Sequence, residues 1–279
     1  MKQTNSITYK TIEELADINE VVSLQSDIWS QDSVTPLPQL VASIHHGGIL
    51  IGAFYENRLI GFCYGFAGFK NQEVYLISHM AAVHPEYQNL GVGYELKIKQ
   101  REWAVAYGYQ KIVWTFDPLE VRNGYFNLCK LGAYSKTYIP SYYGEMQDKL
   151  NKGLPSDRLV IEWDICSDRV EKAISGELPF KTEQVYEILL QADHNTKYPL
   201  LVEKKSDSPK NGYLVAVPTN IQILKQTNLE VASAWRFAIR AAISEAIENG
   251  CIITGVQKVP NSTYQFYILE KKTMEEPFL

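Results

Sequence analysis

Apolar positions in the first half of the chain switch between two spacings, and the switches lay out a series of elements. Ile7 to Ile12 alternates as a short strand. Thr11 and Glu14 then give a capping-box signal, with Leu15, Ile18, Val22 and Ile28 at helical spacing behind it. Thr35-Pro36 opens a second helix and Gly47-Gly48 stops it. From Gly48 to Phe69 two β-rich runs flank the polar turn Glu56-Asn57-Arg58 and predict a hairpin. Val74 to Val83 is a third apolar run. His84-Pro85 ends it, because proline lacks a donor and biases its predecessor toward extended backbone. Val92, Leu96, Trp103 and Ala106 or Tyr107 mark the buried side of the next helix, which Gly108 ends. Lys111 to Phe116 reads as an interior strand. Asp117-Pro118-Leu119-Glu120 predicts a helix start, with an N-cap carboxylate, proline at N1 and glutamate at N3; the helix ends near Gly132. Ala133–Ile139 and Arg158–Ile165 are strands, separated by a long loop over residues 140–158.

From about residue 168 the pattern changes. Residues 170–212 are charged and broken, with short elements expected around Val185–Ala192 and Leu200–Glu203. Gly212 to Val217 is a strand stopped by Pro218. Thr227 and Glu230 box the start of a strong helix with a wide apolar stripe from Val231 to Ile247, and Gly250 caps it. Cys251–Gln257 and Thr263–Leu269 read as closing strands. The pattern divides the chain into a first domain over 1–167 and a C-terminal α+β extension over 168–279.

Composition adds boundaries to this picture. At 279 residues, 46% hydrophobic and 21% charged, the chain has core material for one large or two ordinary globular domains. No apolar run approaches the ~20 residues of a membrane helix, and MKQTNSITYK lacks a signal-peptide core. Cys63, Cys129, Cys166 and Cys251 lie far apart with no clustered histidine. That argues against a metal site and a disulfide framework and for a reducing cytoplasm. A net charge of −5 disfavours nucleic acid as partner, since phosphate neutralisation needs a basic face.

The most informative stretch is Met80 to Tyr107: a strand exit, a turn with Gln88, Gly91 and Gly93, then an amphipathic helix. Glycines leave helix-initial N–H groups uncovered, and those groups lack intrahelical partners at the positive end of the helix dipole, where phosphate binds. Gln88-Asn89-Leu90-Gly91-Val92-Gly93 resembles the [Q/R]-x-x-G-x-[G/A] pyrophosphate loop of the GNAT N-acetyltransferase superfamily. Ala81-Ala82-Val83-His84-Pro85-Glu86-Tyr87 resembles that family's strand exit. Element order extends the resemblance over roughly residues 5–165. It implies an α/β (α+β) fold, with a mixed, mostly antiparallel central sheet flanked by helices. It also implies acetyl-CoA or another acyl-CoA as co-substrate, bound between the strands ending near Val83 and Phe116. The backbone of Ala81, Ala82 and Val83 would meet the pantetheine arm, Gln88–Gly93 the diphosphate, and Asn123 the CoA arm.

Acyl transfer to an amine needs a base, a donor to the carbonyl oxygen and a proton for the thiolate. By the resemblance the Val83 amide is the carbonyl donor. The glutamate that some members carry eleven residues before Gln88 is Ile77 here. His79 stands two residues on and has a pKa suited to neutral pH, with Glu73 as second candidate. The family's usual tyrosine acid falls at Leu128, leaving Tyr125, or Tyr134 or Tyr138, as substitutes. Asp117 reads as a cap and Cys129 as core. Tyr142, Tyr143 and Asp157-Arg158 are loop anchors or acceptor-pocket residues. Arg236 and Arg240 are salt-bridge or anion-binding residues.

The expectation is direct transfer of an acetyl or other small acyl group to a primary amine of a small molecule. No membrane partner is implied, and a homodimer is left open. The alternative is a non-catalytic CoA-binding sensor or interaction module on the same fold, kept open by Ile77 and Leu128.

Overall fold

Two tight turns shape the first sheet. Glu56 and Asn57 (φ 49° and 64°) join strand β2 (Ile49–Tyr55) to β3 (Arg58–Lys70), and Asn71 and Gln72 (φ 52° and 66°) join β3 to β4 (Glu73–Val83). Successive positive φ values match the right-handed twist of a hairpin, so both reversals need only two residues. The computed structural model describes residues 7–29, 34–144, 152–178, 186–193, 198–202 and 211–271. Val185, Glu203 and residues 145–151 of the long loop fall outside them.

The chain forms two compact units, Met1–Trp114 and Thr115–Leu279. This division rests on packing, whereas the 167/168 boundary rests on sequence pattern. In the first unit β1 (Thr8–Thr11), β2, β3 and β4 pair antiparallel in that order, and β4 pairs in parallel with β5 (Lys111–Phe116) at Leu76↔Ile112 and Ile77↔Val113. Helices α1 (Leu15–Ile28) and α2 (Leu37–His45) cover one face, where Ile18, Val21, Leu24 and Leu40 pack with Leu50, Phe54, Phe62, Tyr64 and Ala82. Helix α3 (Val92–Tyr107) covers the other. Added Cβ atoms at Gly61 and Gly65 of β3 would lie 3.4 Å from Leu96 and 3.1 Å from Gln100, so these glycines admit α3 closely.

In the second unit the strand pairing is mixed and mostly antiparallel. Its order is β7 (Arg158–Asp164), β6 (Tyr134–Ile139), β11 (Cys251–Gln257), β12 (Tyr264–Lys271), β10 (Gly212–Pro218), β8 (Glu187–Ala192) and β9 (Pro199–Leu201). Only β10 and β8 run parallel among these pairs. Helix α7 (Leu229–Glu248) packs across β10, β6 and β11 with Val231, Trp235, Ile239 and Ile243 buried. The expected α/β fold is present, and no helix among the described residues is long and apolar enough to cross a membrane.

Several caps differ from expectation. Thr11 stays in β1, and α1 begins after Glu14 with no side-chain cap. Asn228, not Thr227, caps α7 by accepting from the Val231 amide at 3.1 Å. Helix α4 (Val121–Tyr125) starts four residues after Asp117, whose Oδ1 instead accepts the Leu119 amide at 2.8 Å in a local turn; a π-helical stretch, Phe126–Lys130, follows. Helices α5 (Asp168–Ile174) and α6 (Ile221–Thr227) were not expected.

Candidate active site

The site in the first unit begins where β4 leaves the sheet. The His84 amide donates to Ile60 at 2.8 Å, so bonded pairs alternate back along β4 and the N–H groups of Ala81 and Val83 face away from β3. On that free side the ladder with β5 ends at Ile77↔Val113. The stretch Ala81–Val83 therefore presents an extended, open backbone edge, able to pair with an amide-bearing chain.

Beyond it, Pro85–Tyr87 makes a single 3-10 turn and the loop Gln88–Gly93 follows. Asn89 (φ 63°) and Gly91 (φ 82°) are both left-handed, a conformation asparagine tolerates and glycine takes freely. Gly91 is the N-cap of α3, and its carbonyl accepts from Tyr94 at 3.0 Å and Glu95 at 3.1 Å. The N–H groups of Leu90, Gly91, Val92 and Gly93 reach no acceptor among the described residues. A Cβ at Gly91 would meet nothing within 4 Å, and one at Gly93 only Val83 Cγ2 at 3.8 Å. Bare donors, open space and a helix N-terminus together fit a diphosphate. The exposed Gln88 side chain turns back to the strand: its Nε2 donates to the Val83 carbonyl at 3.2 Å and ties loop to strand.

His79 occupies a β-bulge. Tyr64 pairs with Met80 and Gly65 with Ser78, leaving His79 as the extra residue of β4. Its ring is edge-on to Tyr64 (6.1 Å) and Phe66 (5.6 Å), and this desolvation lowers its pKa although part of the residue is exposed. A neutral imidazole at neutral pH can accept a proton. Glu73 lies six residues away, roughly 20 Å along an extended strand, exposed and 3.7 Å from Lys111. The structure does not bring these two together.

The α3 stripe carries a surprise. Its buried residues are Val92, Leu96, Lys97, Gln100 and Ala104, whereas Ala106 and Tyr107 are exposed and Trp103 is half-buried. Reading only apolar residues misses Lys97 and Gln100; the available signal was their spacing from Val92 and Leu96. Lys97 Nζ donates to Ser78 Oγ at 2.8 Å and Gln100 Oε1 at 3.0 Å.

Residues 17–126 match the family model described as Acetyltransferase (GNAT) family. The match lies within the first 126 of the 279 residues and spans less than half of the chain. Acetyl-CoA is the co-substrate the family implies. Comparison with curated proteins gives no match. Solved structures similar to this chain include an acetyltransferase of the GNAT family from Streptococcus pneumoniae (16% identity, TM-score 0.46, covering 56% of this chain and 98% of that one). Another is a GNAT-family acetyltransferase from Desulfovibrio desulfuricans (12%, 0.44, 58% and 100%). A third is an aminoglycoside acetyltransferase from an uncultured soil metagenomic sample, in complex with trehalose (13%, 0.38, 43% and 84%).

The remaining candidates lie in the second unit. Asn123 is exposed on α4, and Tyr125 has Lys258 Nζ 3.8 Å from its ring centroid. Leu128, at the family's tyrosine position, is fully buried. Tyr134 bonds Asp164 at 2.9 Å and Tyr138 bonds Asp157 at 2.6 Å. Burial and these carboxylates raise both phenol pKa values, which makes them poorer acids. Cys129 accepts from the Val256 amide at 3.3 Å, and burial raises its thiol, in keeping with a core role. Asp117 is an ion-pair partner of Arg236, rather than the helix cap expected of it. Arg240 grips Asp157 with two bonds of 2.9 and 2.7 Å. Both arginines thus serve salt bridges. Tyr143 stacks 4.6 Å edge-on to Tyr142 and 5.2 Å from the Arg158 guanidinium.

Proposed function

We propose that this protein is a GNAT-type N-acyltransferase that moves an acetyl or other small acyl group from acyl-CoA to the primary amine of a small molecule by direct transfer. One observation carries the reading. The consecutive free amides of Leu90, Gly91, Val92 and Gly93 stand at the start of α3, at the end of a strand whose outer edge is open. The amides would hold the diphosphate of CoA. The backbone of Ala81, Ala82 and Val83 would align the pantetheine arm, with the Val83 N–H directed at the thioester oxygen. Asn123 would add a contact to the CoA arm.

In the step itself the amine nitrogen bonds to the acyl carbon, the carbon–sulfur bond breaks, and CoA leaves as its thiol. We assign His79 as the base that takes the amine proton, because its desolvated ring is neutral at neutral pH. Glu73 ranks behind it, with its carboxylate at the strand's other end. Tyr125 is the favoured acid for the thiolate, since Tyr134 and Tyr138 are committed to carboxylates. The acyl-CoA-binding part is taken as residues 1–167, with 168–279 as its extension, and the setting as the cytoplasm.

Thiol release from acetyl-CoA across amino acids, polyamines, aminoglycosides and peptide amines tests this. Amine-dependent release supports the transferase. Acetyl-CoA binding with no release for any amine supports the CoA-binding module, the reading that Ile77 and buried Leu128 favour.

A further inference from the structure

Ser78 and Trp114 are the first residues past the last rung that joins β4 to β5, Ile77↔Val113. At that point the two strands stop holding each other. A single side chain from α3 reaches both of them. Lys97 Nζ donates to Ser78 Oγ at 2.8 Å and lies 3.8 Å from the centroid of the Trp114 ring, with Gln100 Oε1 bracing it at 3.0 Å. All of this is internal: Lys97 is 5% exposed and Ser78 6%. The residue after Ser78 is His79, the extra residue of the bulge.

We propose that Lys97 is a positioning residue that sets the width of the opening between β4 and β5 and the register of the bulge. The opening is where the Proposed function seats the arm and acyl group of acyl-CoA, and the inference rests on that reading. Three observations support it. The amine sits at the first unladdered position on both strands at once. Its contacts are a hydroxyl on one strand and an aromatic face on the other, which fix direction as well as distance. Burying an ammonium is costly, and an apolar side chain would fill the same space at less cost. Burial holds its pKa down to about 7, a sign of how fully it is enclosed. The diphosphate loop begins at Gln88, ten residues beyond Ser78 and nine before Lys97, and none of the contacts of Lys97 named above is to Gln88–Gly93, so a change at Lys97 should spare it.

The test compares two ligands on the full chain by calorimetry. One is acetyl-CoA. The other is adenosine 3′-phosphate 5′-diphosphate, the nucleotide half of CoA, which has the diphosphate and no arm. In Lys97→Met the nucleotide half should bind within about twofold of the parent protein while acetyl-CoA weakens about tenfold or more. Ser78→Ala, which keeps the lysine and removes its partner on β4, should weaken acetyl-CoA selectively in the same direction. It also carries the test if Lys97→Met does not fold. Unchanged acetyl-CoA affinity in the variants, or equal losses for the two ligands, would make Lys97 mere core filling and overturn the proposal. A parent protein that binds neither ligand overturns the acyl-CoA reading itself, and this inference with it.

Discussion

Gln88 donates from Nε2 to the main-chain carbonyl of Val83 at 3.2 Å, so the residue that opens the glycine loop is fastened to the strand that leads into it. The bond sets the direction of the loop amides relative to the backbone edge of β4. Removing it loosens an exposed contact, for which a stability change of about 1 kcal/mol or less is expected. Gln88→Ala should therefore melt close to the parent protein while the KM for acetyl-CoA rises roughly tenfold, since misdirected donors lose most of their value. Steady-state kinetics beside a thermal melt read both. Equal KM values would show the tie to be incidental.

The two loop glycines should separate stability from binding. Gly91 has φ 82°, where any side chain is strained, so Gly91→Ala is expected to cost about 1–2 kcal/mol. Gly93 lies in the first turn of α3, where an added Cβ would make only an ordinary 3.8 Å contact with Val83, so Gly93→Ala should fold as well as the parent protein or slightly better. Gly93→Glu should also fold but lose CoA binding, because it places bulk and negative charge in front of the free amides. Denaturant titrations and CoA affinities of the three variants form the check.

Much of this was legible in the sequence, and the gaps have physical causes. Gln88, Gly91 and Gly93 show at their true spacing because a tight strand-to-helix turn needs special residues at fixed positions. The bulge at His79 is invisible because an extra residue in one strand leaves its own apolar pattern intact and shifts only the pairing with β3. Lys97 escaped because long charged side chains are expected at the surface. Helices α5 and α6 escaped because each is short and announced by one cap, Ser167 bonding Val170 and Asn220 bonding Ile223. Asp117 suggested a helix start because a carboxylate that accepts a nearby amide makes a turn and a cap alike.

If His79 is the base, its protonation should shut the reaction down from the acid side. Desolvation by Tyr64 and Phe66 moves its pKa below the ordinary 6.5, so kcat/KM should hold through pH 6.5 and fall only below it. His79→Gln should lower kcat by roughly 10²–10³ and abolish that acid limb. A variant that keeps the limb would move the role of base elsewhere.

Asp157 is fully buried and accepts from Tyr138 at 2.6 Å, Ser141 at 3.0 Å and Arg240 at 2.7 and 2.9 Å. Burial alone would raise its pKa, but the arginine and these donors outweigh it and hold the carboxyl below the ordinary 3.8. A depressed folded pKa stabilises above the unfolded value and is lost as pH falls through the folded one. Asp157→Asn should cost about 2–4 kcal/mol at pH 7, with the deficit shrinking as pH falls below 3.8. Chemical denaturation across that range follows it.

Lys97 should give the opposite pH signature. Burial lowers its pKa from 10.5 to about 7, a shift that a weaker pull from Cys63 opposes. Below about 7 the folded and unfolded chains both carry the charge, and the fold bears the full cost of burying it. Between about 7 and 10.5 the folded lysine releases its proton while the unfolded one keeps it. The unfolded state then binds more protons, so stability must rise with pH. The parent protein should accordingly gain roughly 2–3 kcal/mol relative to Lys97→Met between pH 6 and pH 9.5. At pH 6 the methionine variant should be the more stable of the two, even after losing the bonds to Ser78 and Gln100. Urea midpoints at the two pH values decide it: parallel curves would mean that the amine keeps an ordinary pKa and is reached by water.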